Sequence, residues 1–276
     1  MHYKTYIADP ARACAIIAHR GLWRAAPENS LLSIEHAIAV GCNVVEIDVR
    51  RSADGELFLL HDDTLERMAG RPEPLETLTA AQLRDLRLRD RDGGGHNGLT
   101  DQKLPSLKEA FALTRDRIFL HLDVKQREVI PQVIALARAM GVDQQVDFWG
   151  NLGSGDDLAW IVATVTPHGV PFIGKTRLNA PNAAEQLQLL FQLSPFICEI
   201  YFDAIEQLAA HQARFASAGI ALWVNTLDSI SCAGFTDSAA LVHPEAVWGR
   251  LLDAGVSAIQ TDEAAALKTF LAARRA

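Results

Sequence analysis

Short β-branched or apolar runs alternate with amphipathic stretches along almost the whole chain, and this rhythm restricts the fold more than any other feature. The runs fall at 13–19, 44–49, 118–125, 146–149, 171–175, 196–202, 220–225 and 257–261. Between them, 31–40, 131–140, 183–193, 206–218 and 244–254 carry apolar residues at helical spacing. Several of these stretches end in glycine, at Gly41, Gly141, Gly219 and Gly255, the residue that closes a helix in the left-handed conformation. Strand-helix alternation calls for a parallel sheet covered by helices, and about eight such units predict an α/β fold of the (β/α)8 TIM-barrel class. An open doubly wound sheet is the alternative. Barrels of this kind commonly use about 250 residues as one unit, so residues 1–276 are read as a single domain.

One interval breaks the rhythm. After the second strand, 52–105 inserts a hairpin-like Ser52-Ala53-Asp54-Gly55, a strand over 57–60, a helix near 79–88 and a glycine-rich run, Asp92-Gly93-Gly94-Gly95-His96-Asn97-Gly98. Because barrel active sites gather at the C-terminal ends of the strands, this small insertion is expected to act as a lid or subdomain over the barrel mouth. Its plainer reading is a surface ornament.

Charge and composition remove several function classes. Thirty-four acidic residues against 26 basic ones leave a formal charge of −8, so no nucleic-acid partner is expected. The longest uncharged run, 158–174, contains Pro167, Gly169 and Pro171, which interrupt it before it could cross a bilayer core of roughly 30 Å, so no membrane span is expected. The first residues lack the basic-then-apolar layout of an export signal, and a cytoplasmic location follows as the simplest expectation. Four scattered cysteines, Cys14, Cys42, Cys198 and Cys232, without CxxC spacing read as reduced thiols rather than disulfides or a zinc site. Neither a heptad nor a distinct apolar stripe sets an oligomeric state.

Chemistry concentrates at strand ends. The first strand ends in His19-Arg20-Gly21, followed by Pro27-Glu28-Asn29-Ser30 at the opening of a helix. The second carries Glu46-Ile47-Asp48-Val49; side chains alternate at period two, so Glu46 and Asp48 share a face. On a barrel interior two carboxylates repel and lose hydration unless a cation or a proton intervenes. The third strand adds His121, Asp123 and Lys125 at one parity. A lone Glu-x-Asp is ordinarily a solvated strand end; with Asp123 it becomes a three-carboxylate set. Oxygen donors without cysteine or a histidine pair favour one hard divalent cation, Mg2+ or Ca2+, over zinc. His61 follows the apolar strand 57–60, and two histidines at separate strand ends suit general acid and base work near neutral pH.

These motifs, in this order, resemble the glycerophosphodiester phosphodiesterase family, whose pattern runs His-Arg-Gly, Pro-Glu-Asn-Thr, Glu-x-Asp-Val, Asp-Gly and His-Asp. Here they stand as His19-Arg20-Gly21, Pro27-Glu28-Asn29-Ser30, Glu46-Ile47-Asp48-Val49, Asp54-Gly55 and His61-Asp62. The likeness covers nearly the whole chain and is weakest over 142–193. It implies a (β/α)8 barrel that hydrolyses glycerophosphodiesters to an alcohol and glycerol 3-phosphate. Glu46, Asp48 and Asp123 would bind one metal, and His19 and His61 would be the acid-base pair. Arg20 and Lys125 would offset the charge of a small-molecule phosphodiester.

The sequence also departs from the family. Asp123 stands where the family usually has glutamate, which brings a metal closer to that strand. The resulting Asp-x-Lys is similar to the spider-venom phospholipase D enzymes, and it raises a rival chemistry, transphosphatidylation of lysolipids to a cyclic phosphate. A catalytically silent barrel that binds a phosphorylated ligand is a third reading. Glu28 has two readings, a contact to the metal or substrate and a helix cap. Trp223 is read either as an aromatic wall of the pocket or as a core tryptophan. His121 is read as a core residue, and Glu199 and Tyr201 as pocket-shaping candidates on the sixth strand.

Overall fold

The computed structural model describes residues 1–275. Its parallel strands are β1 (Ala15–His19), β2 (Val44–Arg51), β3 (Phe119–Val124), β4 (Val146–Asn151), β5 (Phe172–Arg177), β6 (Ile197–Tyr201), β7 (Ala221–Leu227) and β8 (Val256–Thr261), with helices between them. The fold is a (β/α)8 barrel. By packing, the chain divides into two compact units, residues 18–146 and residues 1–17 with 147–276.

In the unit 18–146, β2 and β3 pair in parallel with Glu46 opposite His121 and Asp48 opposite Asp123. Partners across a parallel ladder point the same way, so the register places all four side chains on one face. The strand Leu57–Leu59 returns antiparallel along the end of β2, after a turn closed by the Gly55 N–H donating to the Ser52 carbonyl. Helix Leu31–Val40 starts where the Ser30 hydroxyl accepts from the Ser33 N–H and stops at Gly41, whose φ is +81°. Helix Leu107–Thr114 opens on a reciprocal cap between Ser106 and Glu109.

The insertion has its own apolar centre, formed by Phe58, Leu60, Leu65, Met68, Leu75 and Leu83 among others, all essentially buried. Its expected helix near 79–88 is cut short to Ala80–Leu83, because Arg87–Arg89 is drawn into an antiparallel pair with Leu99–Lys103. The glycine-rich run is the loop joining those two strands.

The unit containing 147–276 carries β4 to β8 as consecutive parallel neighbours. Helix Ala183–Leu193 has the expected limits. The single helix expected over 206–218 is two, Ile205–Ala209 and Gln212–Ala218, divided at Ala210 and His211 without a glycine or proline to mark the break. The uncharged run 158–174 lies in helix Gly155–Thr164, a following tight turn and β5. Among the described residues no helix is long and apolar enough to cross a membrane. Cys42, Cys198 and Cys232 are buried and Cys14 is half-buried.

Candidate active site

The site is assembled within the unit 18–146. Alternation along β2 and β3 turns Glu46, Asp48 and Asp123 to one face, and each offers an oxygen within 4.8 Å of the others. Glu46 and Asp48 are buried, while Asp123 lies nearer the strand end and is partly exposed. Lys125 follows β3 and sets its ammonium 2.6 Å from both Asp48 Oδ1 and Asp123 Oδ2.

Just beyond β1, Arg20 takes a left-handed backbone (φ +53°), which lets its N–H donate to Glu46 Oε2 at 3.0 Å. Gly21 is also left-handed, and a Cβ there would collide with Ser33, so the turn admits no side chain. The Arg20 guanidinium places Nε 3.4 Å from Asp48 Oδ2 and donates through Nη1 to both oxygens of Glu28, at 3.1 and 3.2 Å. Buried Asn29 accepts from the Asp48 N–H at 3.0 Å and donates to Asp48 Oδ2 at 2.7 Å, so one amide ties both the backbone and the carboxylate of that residue.

His61 stands at the end of the Leu57–Leu59 strand, with its side chain 39% exposed and Nδ1 2.8 Å from Asp62 Oδ1. Arg67 grips both oxygens of Asp62, through Nε at 2.6 Å and Nη2 at 2.8 Å. The same guanidinium grips both oxygens of Glu28, at 3.0 and 2.6 Å. Arg50, on β2, donates to the His61 carbonyl, Asp63 and Glu76, tying the insertion to the strand that bears the carboxylates.

Burial and the nearby charge of Asp48 push Glu46 above the usual carboxylate range, while His19 works the other way. Burial also opposes the charge on Asp48, yet Lys125 and Arg20 overcome it and hold this group below its ordinary value. Burial disfavours the Lys125 ammonium in turn, and Asp48 and Asp123 more than compensate. The face is thus an acidic trio already balanced in part by a protein cation. Three carboxylate oxygens and no sulfur form a hard donor set that fits Mg2+ or Ca2+.

The structure brings together His61, Arg20, Glu46, Asp48, Asp123, Lys125 and Glu28 of the residues expected from sequence. His19 ends β1 close enough to Glu46 to affect its charge. The reading of Glu28 as a helix cap is corrected: Ser30 caps the helix, and the Glu28 carboxylate is taken up by two arginines. His121 is buried opposite Glu46. Trp223 lies on β7 of the other unit, 1% exposed, with its indole N–H donating to Asn225. Glu199, also in that unit, accepts from Tyr201 and Asn225 at 2.5 and 2.8 Å. Sequence reasoning gave no role to Asn29, Asp62, Arg67 or Arg50. The first three lie in or beside quoted motifs, which was the available signal.

Comparison with known proteins bears directly on this site. The sequence model of the glycerophosphoryl diester phosphodiesterase family matches residues 19–148, and a model described as a domain of unknown function matches 172–271. A glycerophosphodiester phosphodiesterase of Caldanaerobacter subterraneus is 30% identical over 118 residues, 42% of this chain and 46% of the relative. Human glycerophosphodiester phosphodiesterase 1 is 35% identical over 126 residues, 43% of this chain and 36% of the relative. The match thus spans less than half of either relative.

Among solved structures, a putative glycerophosphoryl diester phosphodiesterase from Silicibacter pomeroyi aligns with a TM-score of 0.73 at 17% identity, covering 100% of this chain and 99% of the other. An Oleispira antarctica phosphodiesterase, described as a complex with the product sn-glycerol-3-phosphate, aligns at 0.66 with 21% identity over 93% and 96%. These structural likenesses establish the fold, and the glycerophosphoryl diester phosphodiesterase family model falls on the segment that bears the acidic trio, His19 and His61. Over residues 19–148, the chain is similar to the glycerophosphodiester phosphodiesterase family.

Proposed function

We propose that the chain hydrolyses glycerophosphodiesters to an alcohol and glycerol 3-phosphate, with one divalent cation held by Glu46, Asp48 and Asp123. The observation that carries this reading is the convergence of three carboxylate oxygens within 4.8 Å beside the Lys125 ammonium. A bound cation supplies Lewis-acid stabilisation of charge on the phosphoryl oxygens. Arg20 and Lys125 add positive charge at the same face, which a phosphodiester anion needs because it otherwise repels a nucleophile.

His19 and His61 serve as the acid-base pair. One accepts a proton from the attacking hydroxyl and the other donates one to the departing alcohol, so the two rings must carry different protonation states at the moment of reaction. In this reading a glycerol hydroxyl attacks phosphorus and water later opens the cyclic phosphate. The insertion 52–105 supplies His61 and acts as the wall or lid of the site. The substrate is a small molecule, and the head-group alcohol is free to vary.

Phosphorus resonance spectra of a panel of glycerophosphodiesters, recorded with and without Mg2+ or Ca2+, test the reading. The expected result is metal-dependent appearance of glycerol 3-phosphate. A cyclic phosphate that persists as the end product would favour transphosphatidylation. No turnover of any diester under any metal would overturn enzymatic hydrolysis.

A further inference from the structure

We propose that Arg67 is the positioning residue of the site, fixing His61 with Nδ1 protonated through Asp62 while bracing Arg20 through Glu28. The inference rests on the hydrolytic reading above for its consequence in turnover, although its structural half stands independently. Arg67 does not reach the acidic trio itself; its side-chain bonds to carboxylates go to Asp62 and Glu28.

One guanidinium lies between two carboxylates. On one side it makes a two-point grip on Asp62, whose Oδ1 also faces His61 Nδ1 at 2.8 Å. On the other it makes a two-point grip on buried Glu28, which in turn holds the Arg20 Nη1. Partial burial works against the charge of Asp62, but the bonds from His61 and Arg67 hold it well below the usual carboxylate range. An ionised carboxylate can only accept, so the proton in the His61–Asp62 bond belongs to Nδ1. In the neutral ring Nε2 then carries the lone pair, the state needed to accept or relay a proton at that atom.

The surrounding chain keeps Arg67 in place. Its Nη1 donates to the Asp92 carbonyl at 2.5 Å, and its own carbonyl accepts from the Gly94 N–H at 2.7 Å. Gly93 is left-handed (φ +72°), and a Cβ there would stand 2.5 Å from the Arg67 carbonyl oxygen. The glycine-rich loop, unexplained by any regular structure, is therefore shaped to fold onto this residue. Lysine could not replace it: a single ammonium cannot make planar two-point contacts to two carboxylates at once.

The test uses magnesium-loaded full-length protein with 15N-labelled histidine, His61 being assigned by loss of its signals in His61→Asn. Long-range 1H–15N correlation is expected to show the Nδ1–H form in the native protein and a shift toward Nε2–H in Arg67→Lys. Asp62→Ala, which leaves Glu28 and Arg20 braced, should give the same shift and guards against misfolding of the first variant. With turnover, Arg67→Lys should lose kcat by about 100-fold with KM nearly unchanged, whereas Arg71→Ala, which removes an exposed pair with Glu73, should lose nothing. An Nε2–H ring in the native protein, or an unaltered His61 pattern in both variants, would overturn the proposal even if kcat fell. Absence of turnover in the native protein would instead refute the hydrolytic reading and leave the histidine measurement to decide the positioning role.

Discussion

Both units bury carboxylates, and they neutralise them in opposite ways. In the unit 18–146, Glu46, Asp48 and Asp123 crowd one face, where Asp48 meets the full charges of Lys125 and Arg20, Asp123 meets Lys125, and Glu46 accepts the Arg20 N–H. In the other, Asp237 is met only by neutral donors: the hydroxyls of Thr226 and Thr261, each at 2.6 Å, and the Asp262 N–H at 2.7 Å. Glu199 lies between these extremes, with Tyr201 and Asn225 as close donors and the Lys175 ammonium at 3.5 Å. Hydrogen bonds from neutral groups hold a carboxylate in place without requiring it to be charged. Several carboxylates beside protein cations instead make a surface ready to exchange one cation for another. The first arrangement needs no further ion, whereas the second suits the cation site proposed above.

The largest test of this contrast is removal of the two histidines proposed to carry protons. His19→Ala and His61→Ala should each lower turnover of a glycerophosphodiester by about 100-fold or more while leaving the thermal midpoint close to that of the native chain. Retention of full activity in either variant would remove that histidine from the mechanism.

Lys125→Ala sharpens the comparison differently. Its ammonium lies 2.6 Å from two of the three carboxylates that would hold the cation. Calorimetric titration should show Mg2+ or Ca2+ binding more tightly in the variant, by about 10-fold or one unit of 1.4 kcal/mol, even as kcat falls. Weaker binding would mean that the ammonium supports the cation site rather than competing with it.

Asp237 gives a pH effect of the opposite sign to that of the carboxylates held by arginine and lysine. Burial pushes it up to about 6, against the pull of its three donors. Its raised folded-state value means that the native chain binds the proton more tightly than the unfolded one, so its contribution is full below the unfolded value, near 4, and is lost as pH rises to about 6. The loss is of order 3 kcal/mol at most. Denaturant titrations from pH 4 to 7 should show this decline, and Asp237→Asn should flatten it. Asp62, held low, contributes in the reverse sense, with stability present above the unfolded value and lost as pH falls.

The smallest effect concerns the tie between insertion and strand. Arg50→Ala should cost about 2 kcal/mol of stability through charge-assisted bonds to Glu76, Asp63 and the His61 carbonyl. A kcat loss larger than the stability change explains would show that the tie also sets the height of His61.

The acidic face was legible because side-chain alternation is a local rule. Glu46 and Asp48 differ by two positions, and the β2–β3 register adds Asp123 to the same face. Helix Leu31–Val40 was legible from Ser30 and Gly41 for the same reason. The Arg67 network was not, since Glu28 is 39 positions away and meets it only through two irregular turns. The shortened helix Ala80–Leu83 was hidden too, because pairing of Arg87 with Lys103 decides where it stops. The split of 206–218 leaves no local mark at all. Locally encoded geometry could be read, whereas contacts made by distant loops could not.

The central claim is that Glu46, Asp48 and Asp123 together hold one divalent cation. Crystals soaked in Mn2+ and measured at its absorption edge test it most directly. The account predicts one strong anomalous peak about 2.2 Å from an oxygen of each residue, absent in Asp48→Asn. A peak elsewhere, or no peak in a chain that turns over substrate, would contradict it.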